Sequence, residues 1–266
     1  MNILETITER TRERILEEKQ KVPLAEVRRM AEDAVKADAP EIFQMPAFER
    51  ALRADGLSFI CEVKKASPSK GLIAPEFPYL EIAKDYEAAG AAAISCLTEP
   101  FWFQGSDAYL EAITETVKIP VLRKDFTCDE YMIYQAKAMG AGAVLLICSV
   151  LDDSELSAYF SLAHELNLSA LVETHSAEEI ERARKINAGI IGVNNRNLKD
   201  FTVDIRNSIE LRSLAGDAVF VSESGIRGAE DMKALYENGT DAVLIGEMLM
   251  RAKDRRAALE GLKKQI

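Results

Sequence analysis

The sequence predicts an α/β fold, a closed (β/α)8 barrel of the TIM type carrying a helical extension at its N-terminus. Three observations predict it. From Leu57 onward, eight short β-prone apolar runs alternate with segments of helical period. Successive runs begin about 20 to 35 residues apart, the length of one strand-plus-helix unit. The runs are nearly continuous in apolar residues, as strands are when helices cover both faces of a parallel sheet. Eight such units close a barrel, so residues 1–266 are expected to form a single domain in which residues 1–56 are the extension. An open doubly wound sheet is the structural alternative. It lacks support from "GVNNRN" and "SESGIRG", which are too short to resemble a dinucleotide-binding fingerprint.

The extension comes first. "ILETITERTRERILEEKQK" and "LAEVRRMAEDAVKA" are charge-rich with apolar residues at helical spacing, "DAPEIF" and "MPAF" break the pattern, and "FERALRADG" reads as a short helix stopped by Gly56. The strands follow in order: "LSFICEVK", "AAAISCLT", "IPVLRKDF", "AGAVLLIC", "LSALVETH", "AGIIGVNN", "DAVFVSES" and "DAVLIG". Between them lie "YLEIAKDYEAAG", "DEYMIYQAKAMG", "DDSELSAYFSLAHELN", "AEEIERARKIN" and "AEDMKALYENG", several ending in the Gly or Asn that closes helices.

In barrels of this kind chemistry sits at the C-terminal ends of the strands. Strand one ends Glu62-Val63-Lys64, strand three Arg123-Lys124-Asp125, strand five Glu173-Thr174-His175, strand six Asn194-Asn195-Arg196 and strand seven Glu223-Ser224-Gly225. Side chains alternate across a strand. With Ile60 inward, Glu62 and Lys64 share its face while Cys61 and Val63 point to the helices. Leu122 shares a face with Lys124, and Leu171 with Glu173. Any one of Glu62, Lys64, Lys124 or Glu173 reads equally well as part of a structural ion pair. Four of them at neighbouring strand ends read as an acid-base set. Lys65 and Arg123 are expected to be ordinary charges on the rim. His164 is expected on a helix surface, and His175, facing away from Glu173 by alternation, is left out of the chemistry.

Strands seven and eight run into glycines, Gly225 and Gly246, where such barrels commonly hold a phosphate on backbone N–H groups. Plain turn glycines are the alternative. Glu247 follows directly, and its N–H can serve an anion only if its carboxylate turns away. "SPSKG" after strand one offers Ser67 and a lysine to the same anion.

A formal net charge of -11 argues against a general nucleic-acid binder and serves solubility. "MNILETITERTRERILEEKQ" lacks the apolar core of a signal peptide and no apolar run is long enough to span a bilayer, so a cytoplasmic protein without membrane contact is expected. Cys61, Cys96, Cys128 and Cys148 form no C-x-x-C pair and no metal-like cluster. Those in or beside strands, Cys61, Cys96 and Cys148, are expected to be buried thiols.

Taken in order and spacing, "EVKKASPSKG", "LTEPFWFQGS", "LRKDF", "LVETH", "GVNNRNL", "VSESGI" and "LIGEMLMR" resemble indole-3-glycerol phosphate synthase of tryptophan biosynthesis. The resemblance implies a carbon–carbon lyase that closes the ring of carboxyphenylamino-deoxyribulose phosphate with loss of carbon dioxide and water. It matches Lys124 to the general acid that protonates the ketone oxygen, and Glu173 to the acid-base group of dehydration. Glu62 and Lys64 match the catalytic pair of strand one, with Lys64 also near the substrate carboxylate. Asn194 and Ser224 match positioning residues, with Glu223 beside them. Ser67, Gly225, Gly246 and Glu247 match the phosphate region, to which Arg196 is added. Where some family members carry a basic residue before the Ser-Pro-Ser, this chain has Ala66, so Lys65 or Lys70 is expected to compensate. A monomer or homodimer is implied, with other tryptophan-pathway enzymes as the protein partners and no fused phosphoribosylanthranilate isomerase barrel.

The residue types suit that reaction in their own right. Negative charge develops on a ketone oxygen during ring closure, and an ammonium aimed at it both stabilises and protonates it. Dehydration needs a carboxyl able to donate, for which a low-dielectric mouth must raise one pKa; Glu173 and Glu62 are the candidates. Phe103, Leu145 and Leu146 are the apolar wall expected for the aromatic ring. No step transfers hydride or electrons, so no cofactor and no metal are expected. Two alternatives are carried: a sugar-phosphate isomerase on a related barrel, which has little use for both Lys64 and Lys124, and a phosphate-binding barrel without turnover.

Overall fold

A computed structural model describes residues 3–38, 45–197 and 200–264. The break expected in "DAPEIF" lies from position 39 on outside the described residues, as does Leu198 of the "GVNNRNL" motif. Eight parallel strands close on themselves: β1 Ser58–Val63, β2 Ala93–Leu97, β3 Val121–Lys124, β4 Ala143–Ile147, β5 Ser169–Thr174, β6 Ile190–Asn194, β7 Val219–Glu223 and β8 Ala242–Ile245. Ile60 closes the ring, pairing with Ala93 of β2 on one side and Leu244 of β8 on the other. Helices α1 Ile3–Lys21, α2 Leu24–Ala37 and α3 Ala47–Leu52 form the extension. The barrel helices are α4 Tyr79–Ala88, α5 Asp107–Thr116, α6 Glu130–Ala138, α7 Asp153–Glu165, α8 Ala177–Lys185, α9 Arg206–Leu211, α10 Ala229–Glu237, α11 Glu247–Arg251 and α12 Arg255–Lys263. Among the described residues no helix is long and apolar enough to cross a membrane.

Local chemistry sets the helix boundaries. Asp152 caps α7 with a reciprocal capping box to Glu155, and Ser106, Asp129, Ser176 and Asp254 each accept a backbone N–H at a helix start. At the other ends Gly90, Gly140, Asn167, Asn187 and Gly239 take positive φ, the left-handed turn that glycine and asparagine tolerate best.

Alternation along the strands divides the apolar side chains into two cores. Cys61, Val63, Val144, Leu146, Val172 and Ile191 face the helices, whereas Ile60, Leu122, Leu145, Leu171, Val221 and Leu244 fill the barrel. All four cysteines are buried and free, and burial pushes the thiols of Cys128 and Cys148 up to about 12, which leaves them inert.

The extension reaches both ends of the barrel. Short α3 plugs the N-terminal end: Phe48 and Leu52 belong to the interior core, and the Glu49 N–H donates to Ser169 Oγ at the foot of β5. Ser58 at the foot of β1 donates back to the Leu52 carbonyl. Helix α2 lies along α6, anchored by Lys137 to Asp38 at 2.6 Å. Helix α1 runs to the opposite end, where Ile3, Leu4 and Ile7 line the cavity at the strand C-termini. Its Arg14 Nη2 donates to Asp125 Oδ2 at 2.9 Å, beside the end of β3.

Phe48 is fully buried in the barrel floor, so Phe48→Ala is expected to lower unfolding free energy by about 3–5 kcal/mol. Urea denaturation measures this; a loss under about 1 kcal/mol contradicts the plug.

Candidate active site

At the C-terminal end of the barrel five ionisable side chains from four strands meet in one patch. Lys124 Nζ, at the end of β3, donates to Glu173 Oε2 of β5 at 2.9 Å and to Glu223 Oε2 of β7 at 2.9 Å. Lys64, just past β1, pairs with Glu62 two residues back, as two residues on one strand face can. Asn194 Nδ2 of β6 donates to Glu173 Oε1 at 3.2 Å, while its own oxygen accepts the Arg196 N–H at 3.0 Å. Glu62, Lys124, Glu173 and Glu223 arrive because the strand neighbour two residues before each, Ile60, Leu122, Leu171 or Val221, packs inside the barrel. Two glycines make the room. A Cβ at Gly192 would collide with Glu223 Oε1, and one at Gly246 would collide with Glu62 Oε2.

Three carboxyls and two ammoniums leave this patch one charge out of balance when all are ionised, and burial and neighbouring charge decide where the imbalance falls. Burial opposes the Lys124 ammonium, but the charges of Glu173, Glu223 and Glu62 override it and raise its pKa. Burial likewise pushes Glu173 up, yet Lys124, His175 and the bonds from Lys124 and Asn194 bring it down to about 2. Glu223 goes the other way. Burial raises it, the pull of Lys124 offsets only part of this, and repulsion from Glu173 and Glu62 carries it up to about 7. Its Oε1 is buried without a hydrogen-bond partner. Glu223 is thus pushed toward the neutral range while Glu173 is drawn below the usual carboxylate range.

A cavity of about 670 Å³ opens above the patch. Phe103, Phe126, Leu97, Leu145 and Ile147 supply apolar wall, with Phe103 and Phe126 ring centroids 6.0 Å apart. Leu146 does not join them: it sits one residue out of phase and faces the helices. Ser67, Gly225, Gly246, Glu247 and Arg196 line the cavity's rim together with Lys70, Arg227 and Arg251. The Glu247 carboxylate is engaged by Arg251 Nε at 3.1 Å and lies 3.7 Å from Lys70 Nζ. Lys70 thus reaches the rim from the loop that follows Ala66, and Lys65 is not among the lining residues. Gly225 is held by its φ of 89° and by Val203, which a Cβ would strike. Ser224 takes φ 66°, a conformation that costs a non-glycine residue about 1–3 kcal/mol and gathers at functional sites.

Two residues depart from their expected places. Arg123 is no rim charge: it is buried, donating to the Met132 carbonyl at 2.8 Å and to Asp107 at 2.8 Å. It points away from the barrel interior, opposite in phase to Lys124. His175 does not face away from Glu173; its Nε2 lies 3.7 Å from Glu173 Oε1. Strand β5 ends at Thr174 and the chain turns into the Ser176 cap of α8, so alternation no longer governs the next side chain. His164 is exposed on α7, as expected.

Several site residues were not legible beforehand. Asn195 ties β6 to β7, donating to Ser222 Oγ at 3.0 Å and to the Ser224 carbonyl at 3.1 Å, which braces the strained residue. The second asparagine of "GVNNRN" was its only signal. Glu99, fully buried after β2, accepts the backbone N–H groups of Phe101, Trp102 and Phe103 at 2.9, 2.8 and 2.9 Å and so fixes the aromatic wall. Asp125 is gripped by Arg14, Thr98 and the Phe126 N–H, which locks the residue next to Lys124 to the extension. Among the described residues no group of three or more His, Cys, Asp or Glu side chains is disposed to hold a metal ion.

The sequence profile of the indole-3-glycerol phosphate synthase family matches residues 4–262. The indole-3-glycerol phosphate synthase of Ruminiclostridium cellulolyticum is 56% identical over 232 residues, covering 86% of this chain and 89% of its own. That of Lachnoclostridium phytofermentans is 48% identical over 267 residues, 98% of each chain. Among solved structures, a 3-hexulose-6-phosphate synthase from Salmonella typhimurium superposes with a TM-score of 0.66 at 14% identity, covering 79% of this chain and 98% of its own, which shows the shared barrel alone.

The folded protein holds the Glu223 proton more tightly than the unfolded chain, whose glutamate titrates near 4.5. Its contribution to stability is therefore full below that value and is lost as pH rises through about 7. Infrared difference spectra should show a protonated-carboxyl band at pH 6 that is gone by about pH 8 and missing in Glu223→Gln. An unchanged band in that variant assigns the proton elsewhere.

Proposed function

The chain belongs to the indole-3-glycerol phosphate synthase family, and from that premise we propose which of its side chains carry each step. The reaction converts carboxyphenylamino-deoxyribulose phosphate to indole-3-glycerol phosphate, with loss of carbon dioxide and water. The observation that carries the assignment is the Lys124 ammonium, buried at the strand ends and shared between Glu173 and Glu223.

In ring closure the aromatic carbon that bears the carboxylate attacks the ketone carbon. The electron pair displaced onto the ketone oxygen takes a proton from Lys124, the general acid. An alkoxide is a far stronger base than either flanking carboxylate, so the proton leaves for it despite the raised pKa of Lys124. The bond to the carboxylate then breaks, its electrons restore the aromatic ring, and carbon dioxide departs. Lys64, braced by Glu62, faces the carboxylate until that bond breaks. Dehydration follows: the new hydroxyl leaves as water on a proton from Glu223, and the proton lost from the neighbouring carbon passes to Glu173. Their opposite pKa shifts suit these two roles. Asn194 and Ser224 orient Glu173 and the substrate.

The aromatic ring packs on Phe103 and Leu145, and the phosphate lies at the rim of Ser67, Gly225, Gly246, the Glu247 N–H and Arg196, with Lys70 supplying the basic group that Ala66 does not. The chain is read as one domain, because Phe48 and Leu52 of the extension belong to the barrel's own interior core. A cytoplasmic location suits a biosynthetic enzyme with a diffusible phosphorylated substrate.

Mixing the protein with carboxyphenylamino-deoxyribulose phosphate in metal-free buffer and following indole fluorescence tests the assignment. Lys124→Ala is expected to abolish turnover while substrate affinity stays within about tenfold, roughly 1.4 kcal/mol. Near-normal turnover in that variant refutes the role of Lys124. An analogue without the phosphate should bind about 100-fold more weakly, the worth of one or two charge-assisted hydrogen bonds. Equal affinity refutes the anion rim.

A further inference from the structure

Each turnover consumes one proton, which the active-site cluster can supply once and must then regain. The substrate carboxylate is an anion and leaves as neutral carbon dioxide, while the phosphate keeps its charge. The balanced equation is therefore substrate anion plus one proton giving the indole product, carbon dioxide and water. On the reading above, Lys124 gives up its proton in ring closure, and the proton that Glu223 donates is matched by the one Glu173 takes up. The enzyme ends each turnover one proton short, and a proton from water must recharge it before the next.

A second cavity of about 510 Å³ lies beside the first, and its walls include His175, Glu179, Ser149, Asn194 and Asn207. His175 stands between this cavity and Glu173. Its Nδ1 is 3.3 Å from Glu179 Oε2 of α8, and its Nε2 is 3.7 Å from Glu173 Oε1. That Nε2 has no hydrogen-bond partner. Glu179 Oε2 also accepts the His175 N–H at 2.7 Å, so the carboxylate and the imidazole are held together. Beyond Glu173, Lys124 Nζ is 2.9 Å away. The charged groups facing the imidazole are Glu173 near the end of β5, Glu179 from α8 and, behind Glu173, Glu223 from β7. Arg196 and Asp204 occupy other walls of the second cavity.

We propose that Glu179, His175 and Glu173 form a proton relay from the second cavity to Lys124, and that His175 recharges the general acid after each turnover. Glu173 hands the proton it took from carbon to Lys124, which passes one to the Glu223 carboxylate on its other side. The imidazole then accepts a proton on the Glu179 side and gives one from Nε2 to Glu173 Oε1, and Glu173 passes it to neutral Lys124. No atom besides hydrogen moves between groups. The 3.7 Å gap is of the kind that closes when a ligand is bound, since catalytic hydrogen bonds in empty sites run long. Neighbouring charge supports the role, as the three glutamates raise the imidazole pKa against the opposing effect of burial.

The proposal rests on the assignment of Lys124 as the general acid, and its test separates the two. In His175→Gln, Lys124 begins protonated, so the first turnover should run at the wild-type rate. Later turnovers should slow by about 100-fold, the lower end of what a positioned proton-transfer group contributes. Stopped-flow indole fluorescence should thus show a burst of one product per enzyme followed by a slow phase, and added imidazole should restore that phase. Glu179→Gln should show a weaker form of the same burst. A His175→Gln enzyme with unchanged steady turnover overturns the relay. So does one whose first and later turnovers fall equally, which marks a structural role. Either result leaves Lys124→Ala inactive. Turnover by Lys124→Ala would instead show that the general-acid assignment itself had failed.

Discussion

Taking the Lys124 ammonium out of water costs several kcal/mol, and that cost is met only where carboxylates replace the lost hydration. Glu173 and Glu223, each 2.9 Å away, do so, and much of the surrounding architecture follows from accommodating them. Their side chains need space inside a packed barrel, which is why Gly192 lacks a Cβ where Glu223 passes. With Glu62 and Lys64 alongside, the patch carries more acid than base, and mutual repulsion leaves one proton on Glu223 into the neutral range. Removing a single partner strands the other charge in a low-dielectric pocket, so the members of the cluster stand or fall together.

The barrel holds this cluster by geometry rather than by local preference. Glu62, Lys124, Glu173 and Glu223 each follow, two residues along a strand, an apolar side chain locked in the interior, so core packing aims the chemistry. The extension completes the frame from both ends. Phe48 seals the floor, while α1 walls the mouth and its Arg14 grips Asp125, next to Lys124. The strained Ser224, braced through Asn195, keeps the loop after β7 in a conformation that presents Gly225 to the rim.

Much of this was legible in the sequence because two-residue alternation survives wherever a strand carries a polar marker. In "FICEVK" the carboxylate and ammonium identify the inward face, and Ile60, Glu62 and Lys64 stand where that reading places them. In β4 the run Val144 to Ile147 is apolar throughout, so nothing distinguishes Leu145, which lines the cavity, from Leu146, which does not. His175 escaped because alternation ends with the strand, one residue before it. The burial of Arg123 depends on Asp107, Thr98 and the Met132 carbonyl, all supplied by other segments. The same is true of the Glu99 carboxylate, the Arg14 clamp and the direction of the Glu223 pKa shift. Each depends on distances between strands that one sequence does not state.

The central claim is that the ammonium shared by Glu173 and Glu223 is the group that meets the reacting oxygen. A crystal structure with the reduced substrate analogue, in which the ketone has become an alcohol, tests it most directly. The account predicts that oxygen within about 3 Å of Lys124 Nζ, the ring against Phe103 and the phosphate at the rim of Gly225 and Gly246. An analogue bound with its oxygen turned from Lys124, while the lysine keeps both carboxylates, contradicts it.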